Sequence, residues 1–445
     1  MIAFATLFLG LIIGPQFVEV VVDDSVSSVE LLLDGRGMGF LRAEDGWSGL
    51  CDFGSELEPH ELVAVAYDSE RREIARARQW INLPNPPAKT TVAFEGGHDG
   101  RGVEARLFWE SVVAAQPTSI TVRFDGAVLR VQDPSRIALP EFDPDQLHFF
   151  RAELEFPDNV SSVVEVAFGG RFADQAHAEL TAVPVELGRR AQLPSVEQMQ
   201  GWFSKAGEPL VVVATESGAP QIVVVRAEDA RRDISGFRRA ARRVRRRLER
   251  EAAGRSESVI AKGDLSFVAS SRLRLLSPFP TRQKRDGYDL EVFPQSAELT
   301  TGHGDVYALL TSLRWRLEGT ERPRLADAVA AAGLLAAGPN RRRAVILMLG
   351  AKSFVSDASQ FESGAVRRYL EHLRVPFFVW STAQDVHELP AHWGEVVDIT
   401  THRKLEKAVE DVNRVLERQR IVWIDGTHLL PEVELTPNPA MRLAL

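Results

Sequence analysis

The sequence predicts a multidomain chain: two all-β sandwiches followed by an α/β domain of the doubly wound class. Three observations predict it. Short β-branched runs separated by turn signals fill the region up to Leu187. After Pro194, strand-like and helix-like runs alternate, as they do where helices cover a parallel sheet. The chain has 445 residues, too many for a single hydrophobic core.

Composition narrows the function classes. The apolar share of 44% and the charged share of 26% are those of an ordinary globular protein. A net charge of −9 argues against nucleic acid as the main partner. Cys51 is the only cysteine, which excludes an intramolecular disulfide and any CxxC or Cys/His zinc site. It reads as a small buried hydrophobe.

Residues 1–16 form a signal-like segment. Ile2 to Ile13 are apolar apart from Thr6 and Gly10, and Gly14-Pro15-Gln16 ends the run. That is the length of a signal-peptide core and too short to span a bilayer. No Lys or Arg precedes it and no A-x-A site follows it. The expectation is export to the periplasm or cell surface, with the segment as an anchor where it stays uncleaved. The other reading is a buried strand or helix of the first domain.

The β region reads as a repeat. Ser28-Val29-Glu30-Leu31-Leu32-Leu33-Asp34-Gly35 is similar to Ser119-Ile120-Thr121-Val122-Arg123-Phe124-Asp125-Gly126, an offset of 91 residues. Pro59-His60-Glu61-Leu62-Val63-Ala64-Val65-Ala66 is similar to Leu147-His148-Phe149-Phe150-Arg151-Ala152-Glu153-Leu154, an offset of 88. Asp34-Gly35 and Asp125-Gly126 read as hairpin turns, because Gly tolerates positive φ. A period near 90 residues is that of an immunoglobulin-like sandwich. The expected boundaries are 17–83 and 88–187, joined by the stiff linker Leu83-Pro84-Asn85-Pro86-Pro87. His60 and His148 are expected to start equivalent strands and to hydrogen-bond a loop.

The α/β domain is expected over 195–430, with 431–445 as a tail. Gln221 to Val225 reads as a strand. A helix from Ser235 to Ala253 follows, with Phe237, Ala241, Val244 and Leu248 on one face. Phe267 to Ser277 reads as a hairpin around Ser270-Ser271. Asp305 to Arg316, Leu325 to Ala337, Ala365 to Leu373 and Leu405 to Arg418 read as helices. Arg343 to Leu349, Val375 to Trp380 and Ile421 to Ile424 read as strands.

The order and content of this half resemble a von Willebrand factor A domain of the bacterial envelope type. The stretch Leu265 to Phe279 is similar to the family's second and third strands. Arg341 to Gly350 is similar to its central strand, and Val375 to Trp380 to the strand after it. Members that bind through a metal carry Asp-x-Ser-x-Ser after the first strand, a Thr from a later loop and an Asp after the central strand. Mg²⁺ needs such a compact set of oxygens. Here the first motif aligns with Arg226-Ala227-Glu228-Asp229-Ala230. The Thr loop aligns with Thr300-Thr301-Gly302-His303-Gly304-Asp305, and Gly350 stands where the second Asp belongs. The resemblance therefore implies a degenerate site built from Arg226, Glu228, Asp229, Thr301, Asp305 and Gly350, with no metal and no cofactor. Arg226 has two readings. Its guanidinium stands in for the metal charge and grips a partner carboxylate, or it pairs with Asp229 or Asp305 and fixes the loop.

Other chemistry is thin. Arg231 to Arg255 holds eleven Arg against three acids and reads as a solvated helix face, with contact to an anionic surface as the alternative. No HExxH, Gly-x-Ser-x-Gly or phosphate-binding GxxxxGK[ST] pattern occurs. The expected function is a non-catalytic exported module for protein–protein adhesion or assembly. A passive scaffold subunit of an envelope complex and a divergent hydrolase using His303 and Asp305 are the competing readings.

Overall fold

The computed structural model describes residues 2–84, 86–95, 102–111, 113–143, 148–157, 160–168, 180–189, 191–234, 265–285, 288–301, 306–311, 322–338, 341–350, 357–383, 393–438 and 440–445. Two compact units result, Met1–Glu179 and Leu180–Leu445.

The first unit contains two sandwiches with the same wiring. In the first, strands Ile2–Phe4, Pro15–Val22 and Ser48–Asp52 make a three-stranded sheet. Strands Arg36–Leu41, Ser28–Leu33, His60–Tyr67 and Glu73–Ile81, in that order, make a four-stranded one. In the second, strands Ile137–Ala138, Glu104–Ser111 and Ala88–Glu95 form the smaller sheet. Strands Ala127–Leu129, Ser119–Phe124, His148–Phe156 and Val160–Phe168 form the larger. Each strand takes the same place in its sheet as its counterpart in the other sandwich. The predicted repeat and its immunoglobulin-like strand count are therefore present. Alternate burial along Ser28–Leu33 and His148–Phe156 turns one face of each to the core. Val18, Val20, Leu31, Leu62 and Ile81 fill the first core; Leu107, Val122, Phe150 and Leu154 fill the second.

The predicted segment 1–16 is, from Ile2 onward, not separate from the first sandwich. Ile2 pairs with Val22 and Phe4 with Val20, and Ile2, Phe4 and Phe8 are core residues. Two buried amides fix the stretch that follows. Gln79 accepts from the Phe8 N–H (2.9 Å) and donates to the Thr6 carbonyl (3.0 Å). Asn82 accepts from the Ile12 N–H (2.7 Å) and donates to its carbonyl (2.8 Å). The apolarity of the run is thus the apolarity of a core strand and its loop. The first sandwich begins at Ile2, not at Phe17.

The second unit corrects the predicted boundaries further. Strand Leu180–Leu187, assigned above to the second sandwich, pairs with Gln419–Asp425 and Met441–Leu443; Val212–Glu216 joins on the other side of Gln419–Asp425. A small sheet of Glu208–Pro209, Phe203–Lys205 and Glu434–Leu435 accompanies them. Val183, Val185, Met199, Phe203, Val422, Ile424, Val433 and Met441 form one core. The last predicted strand is therefore antiparallel and outside the parallel sheet, and 431–445 is no tail. Segments 180–216 and 419–445 build a third β layer, and the α/β domain lies between them in sequence.

That α/β sheet runs Leu299–Thr301, Ser271–Leu276, Ala219–Arg226, Arg341–Leu349, Phe377–Ser381 and Val396–Asp398 in spatial order. The last five strands are parallel and the first antiparallel. Ala219–Arg226 and Arg341–Leu349 are buried over nearly their whole length, as strands covered on both faces must be. The predicted hairpin at Ser270-Ser271 is a turn leading into one parallel strand, with Ser270 at φ 64°. The hairpin of this region is Thr281–Arg285 with Tyr288–Val292. Helix Leu325–Ala336 is rich in Ala, and Gly333 lets Leu370 of helix Ser363–His372 lie against its backbone. Helix His402–Arg418 turns Leu405, Val409, Val412 and Leu416 inward. The predicted helix from Ser235 to Ala253 lies outside the described residues, as do His303 and Asp305.

Candidate functional site

In an open parallel sheet, ligands bind outside the carboxyl ends of the strands where the strand order reverses. Here that point lies between Ala219–Arg226 and Arg341–Leu349. Ala219–Arg226 is followed in the chain by its neighbour on one side, Ser271–Leu276, and Arg341–Leu349 by its neighbour on the other, Phe377–Ser381. The residues that emerge there are Arg226, Ala227, Glu228 and Asp229 from one strand and Gly350 from the other. The structure brings these predicted site residues together. The Ala227 N–H still bonds the Met348 carbonyl (3.0 Å), so the two strands stay zipped to the edge. A helical turn then begins at Glu228.

Asp229 lies over Gly350 so closely that a β-carbon on Gly350 would overlap its carboxyl group. Its Oδ1 accepts the Ala230 N–H (3.0 Å). Two residues that the sequence reading passed over join the edge. Thr382, buried just past Phe377–Ser381, donates its hydroxyl to Asp233 (2.6 Å) and its N–H to the Leu349 carbonyl (2.9 Å). The rule that sites collect at carboxyl ends would have pointed to Thr382 from its place after the strand.

Arg226 does not face outward. Its side chain is 0% exposed, and Nη1 donates to the Leu310 carbonyl of helix Val306–Thr311. Nη2 is 4.0 Å from Glu228, which also takes a close pair of contacts from Arg231, at 2.6 Å through Nε and 2.5 Å through Nη2. Burial pushes the Arg226 guanidinium down to about 10, Glu228 opposing and Arg231 adding to the shift, so it stays charged at neutral pH. The reading in which Arg226 grips a partner carboxylate gives way. It is a packing cation that ties Ala219–Arg226 to the neighbouring helix, with Glu228 beside it.

Thr301 is not part of this site. It pairs with Ser271, whose neighbour Arg272 is level with Gln221. Thr301 therefore sits at the amino end of the sheet, about 20 Å from Arg226 at ~3.3 Å per residue. Strand Leu299–Thr301 is antiparallel to its neighbour, so its end points away from the edge where the other strands finish. Asp305 lies outside the described residues. Among the described residues, no group of three or more His, Cys, Asp or Glu side chains is placed to hold a metal ion. His372 and His402 lie apart, and His402 bonds Glu406 one turn along its own helix (3.1 Å).

The carboxyl edge ends at Asp398. Burial works against its ionisation, but Lys404 and the N–H and hydroxyl of Thr400 (2.8 and 2.6 Å) outweigh that and hold its pKa below the usual value.

No protein-family model and no curated relative matches the chain. Solved structures share parts of it. The fibronectin(III)-like modules of Clostridium thermocellum CbhA are 20% identical over 18% of this chain and 93% of theirs, with a TM-score of 0.16. The central fibronectin-III array of RIM-binding protein is 10% identical over 44% and 81%, TM-score 0.19. A Parabacteroides merdae β-glucuronidase is 14% identical over 37% of this chain and 24% of its own, TM-score 0.17. At these scores no ligand or activity carries over.

Proposed function

We propose that this is a non-catalytic, exported interaction or assembly protein whose α/β domain is a von Willebrand A-type module working without a metal. The strand order, with the edge strand Leu299–Thr301 antiparallel and the reversal point at Arg226 and Gly350, supports the reading. The single observation that carries it is the edge itself. Where a metal would need converging oxygens, the Asp229 carboxylate rests on Gly350, Glu228 is taken by Arg231, Asp233 by Thr382, and a buried arginine stands at the leading position. Location at the periplasm or cell surface belongs to the same proposal. It rests on the pairing of sandwich modules with an A-type domain, since the first sandwich takes in residues 2–16.

Thermal-shift titration of the full chain with Mg²⁺, Mn²⁺ and Ca²⁺ tests the metal part. A ligand of the folded state raises its apparent stability by mass action. We expect no shift at millimolar metal. A saturable shift abolished by Asp229→Ala would overturn the reading. A photo-crosslinking residue at exposed Arg232, beside the edge, tests the binding part. Discrete protein adducts in cells are expected there. Adducts formed only from positions on the sandwiches would leave the α/β domain a passive scaffold.

A further inference from the structure

The repeated His-Asp pair differs between the two sandwiches in one atom's surroundings. In both, an Asp at positive φ (Asp34, 52°; Asp125, 46°) opens the turn between two strands. Its Oδ1 accepts the N–H of the residue after the His, at 2.8 Å in each case, and its Oδ2 lies 2.7 Å from the His Nδ1. His60 stops there: its buried Nε2 has no hydrogen-bond partner among the described residues. His148 goes further. Its Nε2 lies 2.7 Å from the carbonyl oxygen of Asp143.

A carbonyl oxygen only accepts, so Nε2 of His148 carries a proton. An ionised carboxylate only accepts, so Nδ1 carries one as well. Both contacts together require the imidazolium. The ring is stacked on Phe124 (centroids 5.5 Å apart, 14° between planes) and lies 4.9 Å from Phe142. Among the described residues, the charged groups facing it are the carboxylates of Asp125, from the turn, and Asp143, from the incoming loop. The neighbouring strand and loop otherwise present the rings of Phe124 and Phe142.

We propose that His148 is a proton-operated latch on the segment Leu139–Asp143, which leads toward strand His148–Phe156. With two protons, the ring ties the Asp125 turn to the Asp143 carbonyl and seats Phe142. Loss of the Nε2 proton to solvent leaves a lone pair facing the carbonyl lone pairs. That arm then breaks, while Nδ1–H stays on Asp125. The first sandwich has no second arm to lose, so the device belongs to the second alone. The direction of the His148 shift agrees: burial lowers its pKa, and the Asp125 and Asp143 contacts more than reverse this.

Histidine-selective ¹⁵N NMR on the full chain, with His148 assigned by His148→Gln, tests the latch. Both ring nitrogens are expected to be protonated at pH 6, with a midpoint above the ordinary histidine value of about 6.5. Amide exchange across Leu139–Asp143, corrected for its intrinsic pH dependence, should quicken over the same interval, by up to about tenfold per pH unit for one linked proton. His148→Gln should remove that pH dependence. If that variant does not fold, Asp125→Asn should lower the midpoint and shift the exchange profile with it. A single neutral tautomer at pH 6 would overturn the proposal, as would exchange that ignores the His148 titration.

Discussion

The carboxyl group of Asp229 occupies the space that a side chain on Gly350 would need. The two residues are far apart in sequence and meet because their strands are neighbours at the point where the sheet order reverses. Gly350→Ala is therefore expected to displace Asp229 from the Ala230 N–H and to destabilise the second unit by about 1–2 kcal/mol. Asp229→Ala should restore most of that loss in the double variant. Denaturant unfolding of the four members of the cycle measures the coupling, and additive effects would show that the contact carries no energy.

Arg226 has a structural test. Arg226→Ala empties a fully buried site and leaves the Leu310 carbonyl without this donor. A loss of about 3–5 kcal/mol is expected. Arg226→Met, which refills the volume, should cost clearly less. Equal losses in the two variants would mean that the charge, not the packing, is what the site requires.

Gln419 binds the backbone of Arg343 twice, accepting from its N–H (2.7 Å) and donating to its carbonyl (3.0 Å). This joins the parallel sheet to the third β layer. Gln419→Leu leaves two buried backbone groups unmet and should cost about 2–4 kcal/mol. The chemical denaturation midpoint of the second unit should fall while the transition of the first unit stays in place.

Removing residues 1–14 should expose the first sandwich to protease. The deletion takes away strand Ile2–Phe4, the core side chains Ile2, Phe4 and Phe8, and the partners of Gln79 and Asn82. Limited proteolysis of the truncated and complete chains measures this. Equal resistance would return the segment to the role of a dispensable leader.

The second sandwich should have a stability window in pH. Burial disfavours ionised Asp125, but its bonds from His148 and Phe149 prevail and its pKa is lowered. Such a carboxylate contributes fully above its unfolded value, about 3.9, and loses the contribution as pH falls through its folded value. His148, with a raised pKa, contributes fully below about 6.5 and loses the contribution as pH rises through its folded value. Protection of strand His148–Phe156 against amide exchange should therefore be greatest between about pH 4 and pH 6.5. Asp125→Asn should flatten both sides.

Much of the fold was legible because it is local. Alternating burial, Asp-Gly turns and a period near 90 residues mark the paired sandwiches. The predicted role of His60 and His148, each starting an equivalent strand and bonding a loop, holds in both. The site was half legible. Arg226, Glu228, Asp229 and Gly350 converge because they follow adjacent parallel strands, and that adjacency can be guessed from the order of elements. Thr301 failed because nothing in a three-residue run states its direction, and the antiparallel edge strand Leu299–Thr301 sends it to the other end of the sheet.

The sequence by itself determined many of the strands and helices, the repeat and the texture of two halves, since these depend on periodicity and turn chemistry within a few residues. Tertiary structure alone decided three things. It returned Leu180–Leu187, Gln419–Asp425 and Met441–Leu443 to a common sheet. It turned an apolar leader-like run into the first strand of a core. It enclosed Arg226 rather than presenting it. Each depends on which surfaces meet across long sequence separations, where apolar burial and backbone pairing select partners that no local pattern names.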